Sequence, residues 1–155
     1  MEFLKFMNFL HTLSAIVWIG GMFYTNLVFI PNLSVILPEE RGKLMNAVAK
    51  RFSIISWVCI ILLVATGLHR TPGAMLFETS SRYGILLMVK HIVILLVIII
   101  GLTITFSAVP KMKKNAPKPG EKPSNDFISA QLTLEKLSIT NMILGIVIVI
   151  LISFV

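Results

Sequence analysis

Four ionisable side chains lie within or against long apolar stretches of the chain: His11, His69, Lys90 and His91. The chain has 3 histidines, so every imidazole it owns is in this set. Neutral imidazole is a common metal ligand. Two imidazoles from different helices can also hold a b-type haem without covalent attachment, with apolar walls around the macrocycle and Arg70 or Arg82 pairing with its propionates. The plainer alternative is that His11 and His69 are interfacial and His91 hydrogen-bonds a neighbouring helix. Lys90 has two readings as well: its four-carbon stem can reach the outer surface, or it stands beside the cofactor as a cation or proton donor. Cys59 is the single cysteine, which excludes an internal disulfide, an all-cysteine iron–sulfur centre and Cys-x-x-Cys-His haem attachment. A lone cysteine in an apolar run is usually a small hydrophobe.

These side chains must be positioned by membrane helices. Of the 155 residues, 56% are hydrophobic and 14% charged, against about 25% charged in a soluble domain. Four nearly uncharged runs stand out, at about 6–30, 52–68, 83–109 and 137–155, the last with an amphipathic lead-in from Phe127 to Lys136. Each is long enough to span a bilayer as a helix. None alternates as a barrel wall must, and in hydrocarbon only helices or closed barrels satisfy the backbone. The first run is too long for a secretion signal, its charges Glu2 and Lys5 cancel, and no small-x-small cleavage site follows, so it is expected to stay as a helix.

The expected fold is therefore an all-α integral membrane protein, one domain over residues 1–155, with helices at about 4–30, 52–70, 83–109 and 128–155. Short connections make an up-down-up-down bundle the default. Thr71-Pro72-Gly73 should stop the second helix. The segment from Pro31 to Lys50 is read as a cytoplasmic loop with room for a short surface helix, and Lys111 to Ser124 as a Pro- and Lys-rich linker.

The net charge of +7 marks topology rather than nucleic acid. Arg41, Lys43, Lys50 and Arg51 fall between the first two helices, and Lys111, Lys113, Lys114, Lys118 and Lys122 between the last two. Only Lys5, Arg70 and Arg82 fall on the other side. The positive-inside rule puts both basic loops in the cytoplasm and both termini outside, in the inner (plasma) membrane, as a multi-pass protein in contact with anionic lipid heads.

With that topology all three histidines occupy the outer half of the bundle. Inward stripes follow helical spacing: Asn8, His11, Ala15, Trp18, Met22 and Thr25 on the first helix, and Cys59, Thr66 and His69 on the second. Gly84, Met88, His91 and Thr105 share a face of the third, and Gln131, Glu135, Ser138, Met142 and Gly145 of the fourth. Small and polar residues on one face are what membrane helix packing uses anyway. His11 and His91 lie at matching depths, about two turns inside their helix ends, and are the expected axial ligands. His69, nearer the surface beside Arg70, is expected to meet a propionate or relay protons; a ligand pair involving His69 is the alternative.

The segment from His11 through Trp18-Ile-Gly-Gly21 to Tyr24 resembles the opening helix of copper-resistance D (CopD-like) membrane proteins, and of the related HemJ-type protoporphyrinogen IX oxidases. Arg51-Phe52-Ser53, running into Ala65-Thr66-Gly67-Leu68, resembles their second helix, and Tyr83-Gly84 to Lys90 the start of their third. The resemblance covers roughly the first 110 residues. From the HemJ-type side it implies that His11 and Lys90 take part in haem binding and activity; from the CopD-like side it implies copper uptake or binding.

Three functions follow. The leading expectation is a haem b-binding membrane cytochrome moving electrons near the outer face, with cofactor-binding residues His11, His91, His69, Arg70 and Lys90 and a quinone or soluble redox protein as partner. The others are porphyrinogen oxidation and copper handling. Copper(I) favours soft sulfur, and there are 8 methionines, including Met22, Met88 and Met142, although scattered membrane methionines more often serve packing. A homodimer is compatible with all three.

Overall fold

The computed structural model describes residues 2–71, 73, 78–117 and 121–154; the side chains of residues 38, 39 and 70 lie outside that description. Among the described residues every regular element is helical. Four segments are long and apolar enough to cross a membrane: Glu2–Val35, Glu40–His69, Arg82–Lys114 and Asn125–Ser153. Large apolar side chains are exposed all along them, among them Ile16, Ile61, Leu95 and Phe106. Such a surface is stable only in lipid, so the bilayer is the protein's solvent.

The first and third spans continue through a proline, where the sequence reading ends them. In each, a π segment precedes the proline: Tyr24–Phe29 before Pro31, and Ile104–Ala108 before Pro110. Proline lacks the N–H for the i−4 carbonyl and its ring clashes with that carbonyl, and a wider π turn accommodates both. The first segment then runs on to Val35 and the third to Lys114.

The second helix is longer than expected. It starts at Pro38 and runs unbroken to Arg70, so most of the expected cytoplasmic loop, from Pro38 to Lys50, is part of the same helix. Pro38 sits in its first turn, where a missing N–H costs nothing, and the helix contains no other proline. It stops at Arg70, just ahead of Thr71-Pro72-Gly73, as the sequence predicts. The amphipathic lead-in and the fourth run form one helix, Asn125–Ser153, whose Ser124 hydroxyl caps the N–H of Phe127 at 3.2 Å. Ser81 caps the third helix through Gly84 at 3.0 Å.

Contacts between the first and second helices come in an ordered series. Phe3 meets His69, His11 meets Thr66, and the ring of Phe52 occupies the place of a Cβ on Gly21. The buried core brings together Trp18 and Met22, Cys59 and Ile60, Val93 and Val97, and Met142 and Ile148, a pair from each helix. Trp57 ties the second helix to the third, its indole N–H donating to Thr105 Oγ1 at 3.2 Å and its ring lying against Gly101.

Candidate functional site

His11 is half-buried on the first helix, facing the second. Its Nδ1 lies 2.7 Å from Thr66 Oγ1, and Thr66 is 1% exposed, a hydroxyl sealed inside the bundle. That hydroxyl has one proton, and it points at the Leu62 carbonyl 2.6 Å away. With that proton on Leu62, Thr66 Oγ1 accepts from His11 Nδ1, and in the neutral ring the lone pair is then on Nε2. The ring also lies over Gly67, where a Cβ would make an ordinary contact 3.6 Å from His11 Cε1.

His91 reaches the same state by another route. Its Nδ1 lies 2.7 Å from the Leu87 carbonyl one turn earlier, and a carbonyl oxygen can only accept. The ring is half-buried, with its Nδ1–H held on that carbonyl and Nε2 pointing away from it. In metalloproteins this is how the second ring nitrogen fixes the one that binds metal.

His69 differs. It is exposed, with Phe3 edge-on to its ring at 5.6 Å and 86°, which suits a rim position. Lys90 is half-buried on the third helix, and the Arg70 side chain lies outside the described residues. Among the described residues no three His, Cys, Asp or Glu side chains converge on a point that could hold a metal. The three histidines therefore do not form one cluster; His11 and His91 are each held by their own hydrogen bond.

Most of the expected inward stripes face in, with their ends out. Trp18, Met22, Cys59, Thr66, Gly84, Met142 and Gly145 are buried, whereas Asn8, Gln131 and Glu135 are exposed. Sequence reasoning missed a second polar group, between the first and fourth helices. Ser138 Oγ donates to Asn26 Oδ1 at 2.9 Å, and Asn26 Nδ2 donates to the Met22 carbonyl at 2.9 Å. Asn141, buried nearby on the fourth helix, has no hydrogen-bond partner at Oδ1. The signal was available: an asparagine amid an apolar run is as costly as a histidine there.

The family model for copper resistance protein D matches residues 46–155, well over half of the chain. The chain belongs to the copper resistance protein D family. The family takes its name from copper resistance, and the spans make this chain a multi-pass membrane protein. The match starts at Asn46 and runs through the fourth helix, whereas the sequence resemblance was drawn on the first 110 residues. His69, Lys90 and His91 thus lie inside the matched region and His11 outside it. An uncharacterized protein of Aquifex aeolicus (strain VF5) is 33% identical over 91 residues, 56% of this chain. The chain spans 63% of that relative's length. No solved structure matches the chain. The donor set suits the family's metal, because imidazole nitrogen and thioether sulfur are both accepted copper ligands.

Proposed function

We propose that the protein takes up or binds copper ions in the inner membrane, with His11 and His91 as imidazole donors in the outer half of an up-down-up-down bundle whose termini lie outside. The observation that carries this reading is the hydrogen bond each ring makes through Nδ1, His11 with Thr66 and His91 with the Leu87 carbonyl, the arrangement in which Nε2 is the nitrogen that would meet a metal.

The depths of the two rings support it. Were the second and third helices parallel, the Trp57–Gly101 contact would part Arg70 from Arg82 by roughly 48 Å at 1.5 Å per residue, and the connecting residues reach at most about 43 Å. Antiparallel packing follows. Thr66 then lies about 13 Å beyond Trp57 and His91 about 15 Å before Gly101, so His11, bonded to Thr66, and His91 share a level. His69 stands at the rim above them, and the basic connections fall together at the opposite end.

The ion arrives from outside and exchanges water for imidazole at His11 and His91. Thr66 and the Leu87 carbonyl hold the rings in the ligating tautomer, and the apolar bundle keeps water from competing. The test is copper accumulation in cells: chains with His11→Ala or His91→Ala should lose the excess copper that the unaltered chain confers, and equal accumulation would refute the assignment.

A b-type cytochrome is the second reading, favoured by the same observation, since two Nε2-presenting imidazoles on different helices are also what haem iron requires. A Soret band in purified protein, lost in His11→Ala and His91→Ala, would select it over copper.

A further inference from the structure

The polar and sulfur side chains between the first and fourth helices have no part in the histidine pair. Met22 and Asn26 lie one turn apart on the first helix, and Ser138, Asn141, Met142 and Gly145 share a face of the fourth. The interface is pinned at both ends of this stretch. Ser138 bonds Asn26 at 2.9 Å at one end; at the other, Met22 Cε lies 2.9 Å from where a Cβ on Gly145 would stand. Asn141 and Met142 fall between the pins on the fourth helix, and Met22 and Met142 belong to one buried cluster. All three are sealed: Met22 is 4% exposed, Met142 8% and Asn141 8%.

Asn141 Oδ1 is the atom that asks for a ligand. It is buried with no hydrogen-bond partner, and an amide oxygen stranded at bilayer depth costs more than one kept in water. A leucine here would pack without that cost. The missing partner is a donor or a cation. The thioethers of Met22 and Met142, buried in the same stretch of interface, select the chemistry, because thioethers bind soft monovalent copper and offer nothing to magnesium, calcium or a proton.

We propose that Met22, Met142 and Asn141 Oδ1 form a second copper site, selective for copper(I), between the first and fourth helices on the cytoplasmic side of the histidine pair. This rests on the copper reading of the protein and extends it: the ion passes from imidazole to thioether ligands as it moves inward. No electron is exchanged, since copper(I) enters and leaves as copper(I). Asn26, inside the π segment Tyr24–Phe29, and Ser138 are bonded to each other and hold the two helices in register.

The test is anaerobic titration of detergent-purified full-length protein with copper(I) against bicinchoninate, with copper K-edge spectra of the loaded protein. Leucine is close to methionine in volume and keeps the packing. Met22→Leu and Met142→Leu should each lose the sulfur-bound copper and keep the nitrogen-bound one, and Asn141→Leu should weaken the sulfur site by about tenfold or more. His11→Ala/His91→Ala should show the reverse. Undiminished sulfur scattering and copper(I) retention in Met22→Leu/Met142→Leu would overturn this site while leaving the histidine pair standing. Failure of the unaltered protein to hold copper at all would overturn both.

Discussion

Thr66 is the residue on which the state of His11 turns. Its hydroxyl donates to the Leu62 carbonyl and accepts from the imidazole, so a threonine that reads as packing orients a candidate ligand. Thr66→Val keeps the shape and removes the acceptor. Copper affinity should fall about 10- to 100-fold, as for other partners that orient metal ligands, while stability falls by only about 0.6 kcal/mol, typical of a side-chain hydrogen bond between membrane helices. Thr66→Ser should restore binding. Competition against a chelator and unfolding in detergent measure the two effects separately, and an unchanged affinity in Thr66→Val would remove Thr66 from the site. The histidines were legible in the sequence because charge-capable groups in apolar runs are rare. Their tautomers were not, since Thr66 comes from 55 positions along the chain. Asn26 and Asn141 were passed over because a single amide changes the hydropathy of a run very little, although its burial without a partner is costly.

At the scale of the elements, the spans were legible from hydropathy alone, and the differences from expectation have local causes. The first and third helices were expected to end at about 30 and 109, just ahead of Pro31 and Pro110, yet a π turn before each proline lets the helix continue. The Pro31 to Lys50 segment read as a loop because it is charged, but charge does not break a helix and Pro38 starts one. Helix pairing was not legible, because glycines in membrane helices look alike in sequence and differ in what faces them. A Cβ on Gly21 would overlap the Phe52 ring, whereas one on Gly67 would meet His11 at 3.6 Å, an ordinary contact. Gly21→Ala should therefore destabilise the bundle by about 1–3 kcal/mol, the usual range for overpacking, and Gly67→Ala should leave it near neutral. Denaturant titration of both variants in the same detergent checks the contrast; equal losses would mean that the first and second helices do not pack as described.

For the whole molecule, charge placement carries the topology, and labelling tests it directly. In a Cys59→Ala background, Asn46→Cys should react with a membrane-impermeant maleimide only from the cytoplasmic side, and Thr79→Cys only from outside; the reverse pattern would invert the protein and put the histidine pair at the inner face. Class and span number were open to composition, but the choice between copper and haem was not, since imidazole serves both metals. The proposed copper role draws on family membership and on the Nδ1 hydrogen bonds of His11 and His91. The most direct test is the copper content and X-ray absorption spectrum of purified, copper-exposed protein, alongside His11→Ala and His91→Ala. Copper bound through imidazole nitrogen in the unaltered chain and lost in both variants is the predicted result. The same copper content in all three proteins, or a haem in place of the metal, would contradict it.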